Sequence, residues 1–153
     1  MKVGIYTLGC KVNTYESEYA ASLFASCGYE LCEFDDICDV YVINTCSVTN
    51  QSDSKSRKII REAKRRNPNA CIVAMGCFIE SHKNDIIPEI DIVIGNKDKS
   101  KVVELVEEYM KSHEKINHIV LDDIKEFEDM EIKSFGSRTR AFIKIQDGCE
   151  NYC

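Results

Sequence analysis

No apolar run in this 153-residue sequence approaches the roughly 18 residues needed to cross a bilayer as a helix. The longest, VGIYTLG and DVYVIN, are strand-sized, so a membrane-spanning helix is not expected. The N-terminal MKVGIYTLGCKVN lacks a sustained apolar segment and a small-residue cleavage site, so it does not read as a signal peptide, and a cytoplasmic location is expected. Prolines number only two and no low-complexity tract occurs. With 44% apolar and 30% charged residues, the composition is that of an ordered, soluble globular protein. The net charge of −6 argues against a protein that coats nucleic acid along its whole surface. The length allows one domain with a substantial core and not two full-sized ones.

Cysteine, by contrast, is abundant. Nine residues, an odd number, in a chain expected in a reducing compartment point to metal ligands or small buried hydrophobes rather than a disulfide framework. Charge is also unevenly spread. Between Ser52 and Asn67 seven Lys and Arg face only Asp53 and Glu62, while Asp122 to Glu131 holds six acidic residues and one lysine.

Strand and helix signals alternate. KVGIYTLG reads as a buried first strand, and NTYESEYAASLFASCG as a helix capped by Asn13 with Glu16 three residues on, carrying Tyr15, Tyr19, Leu23 and Cys27 on one face and stopping at Gly28. YELCEF and DVYVIN read as the second and third strands, followed by a basic helix over about 52–66 that Asn67-Pro68 closes. ACIVAM is a fourth strand, FIESHKNDIIPEI a short helix or turn, and DIVIG a fifth strand. An amphipathic helix then places Val102, Val106 and Tyr109 together. This order predicts an α/β fold: a doubly wound, flavodoxin-like parallel five-stranded sheet flanked by helices, over residues 1–120. Residues 121–138 read as an acidic linker, and TRAFIKIQ, within 139–153, begins a further strand.

Cys10, Cys46 and Cys77 each follow a strand, in TLGC, INTC and AMGC. In an open α/β sheet such loops share one edge, where ligands bind. With strand order 2-1-3-4-5, strands one, three and four are neighbours about 4.8 Å apart, so the three thiols fall within about 10 Å and suit a small metal cluster. Gly9 and Gly76 precede two of them and allow a sharp turn. The alternative is three cysteines that merely end strands. Cys27, Cys32, Cys38 and Cys71 read as packing residues; Cys71 and Cys77, at opposite ends of one strand, lie about 20 Å apart and cannot share a metal.

The terminal DGCENYC is C-x3-C, a weak signal alone; radical S-adenosylmethionine enzymes carry C-x3-C-x2-C after the first strand of a TIM-like barrel. Read with TLGCKVNTYESE, VINTCSVTN and VAMGC it becomes specific. The chain resembles the methylthiotransferase family, most closely the branch acting on threonylcarbamoyladenosine in tRNA. The resemblance implies an auxiliary [4Fe-4S] cluster on Cys10, Cys46 and Cys77. It implies Cys149 and Cys153 as two of three ligands of a radical cluster that binds S-adenosylmethionine, the third ligand lying past the last residue. It also implies a chain cut at the first strand of the radical barrel, lacking most of the barrel and the C-terminal RNA-binding domain. Such a piece is expected to hold at most one cluster and to be inactive by itself. The full-length activity implied is transfer of a methylthio group to C2 of N6-threonylcarbamoyladenosine beside the anticodon, with the tRNA anticodon stem-loop as partner.

A sibling substrate, isopentenyladenosine in tRNA or a ribosomal protein, remains open, as does a non-catalytic zinc or metal-free binding module of flavodoxin-like fold. Arg57, Arg61 and Lys64 or Arg65 recur at helical spacing and form a candidate RNA stripe, or else a solvated face. His82, His113 and His118 read as surface residues, Glu16 and Glu18 as capping or solvated carboxylates, and Asn13 and Asn44 as loop-shaping residues able to reach cluster sulfur.

Overall fold

The computed structural model describes residues 1–47, 49–82, 87–120, 130 and 132. The strand expected near residue 139, Cys149 and Cys153 lie outside the described residues, as does most of 121–138.

Six strands, β1 (Lys2–Thr7), β2 (Glu30–Cys32), β3 (Val40–Thr45), β4 (Cys71–Gly76), β5 (Ile92–Ile94) and β6 (Ile116–His118), form one sheet in the order β2-β1-β3-β4-β5-β6. Every pairing is parallel. The five expected strands are present in the expected order. The sixth, of only three residues, gives no readable alternation in sequence and was not anticipated. The helices are α1 (Lys11–Ser26), α2 (Asn50–Arg66), the short α3 (Cys77–Ser81) and α4 (Val102–Ser112), the last entered through a 3-10 turn at Lys99–Lys101.

All residues of β3 and β4 are buried, as strands covered on both faces must be. Their alternation divides the core. Val40, Val42, Val73 and Met75 face Ala20 and Phe24 of α1 and Val102 and Val106 of α4. Tyr41, Ile43, Ile72 and Ala74 face Ile60 and Ala63 of α2 and Phe78 of α3. Sidedness with period two is thus converted into two layers of helices.

Two sequence expectations about α1 change. The helix begins at Lys11 with Cys10 as its N-cap residue and no side-chain cap, so Asn13 lies one turn inside, 3% exposed, and not at the cap. Cys27, expected on the apolar face, sits just beyond the helix end and is exposed. α2 starts two residues earlier than expected because Thr49 Oγ1 accepts from Ser52 N at 3.2 Å. Asp53 in its first turn and Lys64, Arg65 and Arg66 in its last complement the helix dipole.

Candidate metal centre at the carboxyl edge of the sheet

Three strand ends deliver three cysteines to one edge. After β1 the chain turns at Gly9 (φ 107°) into Cys10; β3 runs directly into Cys46; β4 ends at Gly76 (φ 98°), followed by Cys77 as the first residue of α3. The registers Thr7↔Asn44 and Thr45↔Gly76 make these neighbouring ends. A side chain at Gly9 would place its Cβ 2.9 Å from Cys46 Cβ and 3.0 Å from Cys46 Sγ, so the first loop packs directly on the second cysteine. A Cβ at Gly76 would lie 2.6 Å from both Asn44 Oδ1 and the Thr45 carbonyl. Both glycines answer a positive φ and a lack of space together. Cys10 and Cys77 are exposed and Cys46 is buried.

A buried polar layer lies beneath these loops. Cys10 Sγ donates to Asn13 Oδ1 at 3.2 Å, and Asn13 Nδ2 donates to Asn44 Oδ1 at 3.0 Å and to the Thr45 carbonyl at 2.9 Å. Asn44 Nδ2 in turn donates to the Asn13 carbonyl at 3.0 Å and lies 3.3 Å from both Glu16 Oε2 and Ser17 Oγ. Glu16 closes the chain with a 2.6 Å ion pair to Lys99 Nζ, and the two residues are 4% and 2% exposed. A continuous hydrogen-bonded path therefore runs from the Cys10 thiol to a buried ion pair. Glu16 is not the capping or solvated carboxylate its helix position suggests. Nor is Lys99, in KDKSK, the solvated lysine its neighbours imply.

The electrostatics converge on the same place. Although Cys77 is exposed by surface area, protein packed around it raises its thiol pKa, chiefly by desolvation. Lys99 opposes that rise, while Glu16, Cys46 and Cys10 add to it, which shows that the other two cysteines and the ion pair are within electrostatic reach. Metal coordination reverses such a preference by holding the thiol as thiolate.

The donor set discriminates between kinds of metal group. A single tetrahedral ion with Zn–S bonds of about 2.3 Å requires sulfurs about 3.8 Å apart. Among the described residues no three of His, Cys, Asp and Glu are gathered for one ion. A cubane held by three cysteines places each sulfur on a different iron, so its ligands stand farther apart than those of one ion. Three thiols, one at the end of each of three strands, are the donor type an iron–sulfur cluster takes.

The basic helix is more engaged than its sequence suggests. Arg57 lies over the Phe78 ring at 5.0 Å, Arg61 pairs with Glu89 at 3.5 Å, and Lys64 Nζ reaches Asp91 Oδ2 at 3.1 Å and the Ala70 carbonyl at 3.0 Å. Arg66 pairs with Asp35 at 2.8 Å. Lys58, Arg61, Lys64 and Arg65 line an open groove with Ser54, Pro68 and Glu89. Of the expected histidines, His82 stacks on Phe78 and pairs with Asp53 at 3.4 Å, and His118 contacts Asp98 at 2.9 Å. Sequence reading missed Glu16 and Lys99 as a pair. It could have flagged only that a glutamate lies on the buried side of α1.

The fold resembles that of the isolated receiver domain of RcsB from Salmonella enterica serovar Typhimurium (TM-score 0.51, 14% identity, 76% of this chain and 92% of that one), a likeness of fold alone. The model of the uncharacterized protein family UPF0004 matches residues 2–95. Threonylcarbamoyladenosine tRNA methylthiotransferase MtaB of Bacillus subtilis is 43% identical over 99% of this chain and 34% of its own length. The protein of the same name from Aquifex aeolicus is 39% identical over 100% and 38%. The tRNA-2-methylthio-N(6)-dimethylallyladenosine synthase of Pelagibacter ubique is 29% identical over 99% and 36%. The chain thus spans about a third of the length of the curated relatives it matches, and it belongs to the UPF0004 family as a methylthiotransferase-type N-terminal domain.

Proposed function

We propose that this domain holds the auxiliary [4Fe-4S] cluster of a tRNA methylthiotransferase acting on N6-threonylcarbamoyladenosine. The observation that carries the reading is the delivery of Cys10, Cys46 and Cys77 from three adjacent parallel strand ends. The names of the relatives at 43% and 39% identity support the substrate branch. Bound there, the cluster would offer an iron free of protein ligands at which sulfur can be held for transfer. The chain's own residues position it. Gly9 and Gly76 keep Cβ atoms away from the loops, and Asn13 ties the start of α1, next to Cys10, to the end of β3 through Asn44 and the Thr45 carbonyl. The Asn13, Asn44 and Glu16 layer fixes α1 against β3 beneath them. Cys149 and Cys153 would serve a second, radical cluster that binds S-adenosylmethionine. The tRNA, in the cytoplasm, would meet the domain along α2.

The test is iron content after anaerobic reconstitution of the chain. Replacing Cys10, Cys46 or Cys77 by Ala should each abolish the site of about four irons, while Cys27→Ala and Cys71→Ala retain it. Equal iron in all five variants overturns the assignment. Stoichiometric zinc without iron would favour the binding-module reading. In a strain deleted for the full-length gene, loss of methylthio from dimethylallyladenosine instead would move the substrate to the sibling branch.

A further inference from the structure

A second pair of thiols lies away from the strand-end trio. Cys32 ends β2, and Cys38 sits two residues before β3. Their sulfurs are 2.6 Å apart, little beyond a covalent S–S bond of about 2.05 Å. The sheet builds this proximity. Cys32 is the register partner of Gly4 in β1, and Cys38 Sγ fills the space where a Gly4 side chain would stand, 2.9 Å from its ideal Cβ. The intervening loop is fastened on several sides. Cys38 N donates to Tyr41 Oη at 3.1 Å, Tyr41 Oη donates to the Asp36 carbonyl at 2.7 Å, and Asn67 Nδ2 donates to the Cys38 carbonyl at 2.8 Å. Phe34 packs between Tyr6, Tyr41 and the Arg66 guanidinium. Cys38 and Cys46 flank β3, so the pair stands about 26 Å along the chain direction from the strand-end site.

We propose that Cys32 and Cys38 form a reversible dithiol–disulfide site whose oxidant is a low-molecular-weight disulfide. The two thiols have distinct roles. Cys38 is fully buried, and its thiol pKa is pushed up to about 12, first by desolvation and then by its contact with Cys32. The half-buried Cys32 is the entry point. Its thiolate attacks one sulfur of the oxidant, forming a mixed disulfide and releasing one thiolate. Cys38 then gives up its proton and attacks Cys32 Sγ, expelling the second thiolate. In sum, two protein thiols and one small disulfide become one protein disulfide and two small thiols. The product closes the 32–38 loop and ties the three-residue edge strand β2 to the segment entering β3, on the side of the sheet away from the strand-end cysteines.

The test uses the chain equilibrated with equal reduced and oxidised glutathione, quenched with an alkylating agent and mapped by peptide mass. The expected result is a Cys32–Cys38 linked peptide in more than half of the molecules, two hydrogens lighter, with Cys71 still a free thiol. Oxidised chain should melt several degrees above reduced chain. Less than half linked, or glutathione on Cys32 with no internal bond, overturns the proposal. As a second measurement, Cys32→Ser should leave Cys38 a free thiol after the same treatment. Glutathione on Cys38 in that variant, or its linkage to another cysteine, would show that burial does not reserve it for Cys32.

Discussion

Replacing Lys99 by Met removes the cation that faces Glu16 across 2.6 Å in a site where both residues are almost wholly shielded from water. Met matches the length of the lysine stem, so packing is largely kept and the charge is what changes. Glu16 retains the Asn44 amide at 3.3 Å, a neutral donor that does not replace an ammonium. Breaking a buried pair from one side costs about 3–5 kcal/mol, against a total domain stability of about 5–15 kcal/mol. With a urea m-value of about 2 kcal/mol per M, the midpoint should fall by about 2 M. The chain has no tryptophan, so far-UV circular dichroism is the suitable probe. The double variant Lys99→Met with Glu16→Gln should recover much of the loss, because the carboxylate charge is removed together with the cation that faced it. A loss under about 1 kcal/mol for Lys99→Met, or strictly additive losses in the double variant, refutes the claim that the pair is a coupled buried unit.

Gly76→Ala should cost more than Gly28→Ala. Both residues have positive φ, but a Cβ at Gly76 meets Asn44 Oδ1 and the Thr45 carbonyl at 2.6 Å, whereas nothing lies within 4 Å of one at Gly28. The Gly28 variant should therefore lose only the left-handed backbone cost of about 1–2 kcal/mol, and equal melting temperatures would contradict the crowding at Gly76. Asp98 is held below the ordinary carboxylate range, first by its hydrogen bond with His118 and then by Lys101. A depressed folded pKa stabilises above the ordinary range and is lost as pH falls through it, so the destabilisation by Asp98→Asn should be under about 1 kcal/mol at neutral pH and vanish in acid. A cost independent of pH would remove the charge from the explanation. Arg61 and Lys64 already pair with Glu89 and Asp91, so Lys58→Glu with Arg65→Glu in the full-length protein is the cleaner probe of the groove. It should weaken tRNA binding and flatten its salt dependence without changing iron content. Unchanged affinity assigns RNA contact to other domains.

The parallel order of the first five strands was legible because each strand is an apolar run punctuated by Gly, Asn or Pro, and because strand ends in such sheets carry loops of similar placement. The cysteines at those ends were legible for the same reason. What could not be read is what depends on closure in three dimensions. Asn13 and Glu16 have the spacing of a capping box, yet the helix starts earlier, at Lys11, and turns both residues inward toward Asn44. Lys99 looks solvated among KDKSK until Asp98, in the left-handed conformation, starts the 3-10 turn that carries it under α1. Lys64 belongs by spacing to an exposed stripe, but the buried carboxylate of Asp91 draws it inward. Cys32 and Cys38, separated by five residues, show no proximity in sequence; the glycine at position 4 supplies it.

The distribution of polar groups at the carboxyl edge also bears on how the proposed site avoids collapse. Three strand-end cysteines with nothing between them would be free to close on one another or to fold inward as small hydrophobes, as Cys71 does within β4. Here the space beneath them is filled by amides and an ion pair, which lose hydrogen bonds if the loops shift. Asn44 is the pivot. It accepts from Asn13, donates toward α1, and stands 2.6 Å from where a Gly76 side chain would be, so the loops after β1 and β4 are both registered against β3. Fully satisfied buried networks of this kind favour one arrangement over many. The cost of burying Asn13, Asn44, Glu16 and Lys99 is therefore offset by the hydrogen bonds and the ion pair they make with one another, and the consequence is a fixed placement of the loops after β1 and β4 against the end of β3.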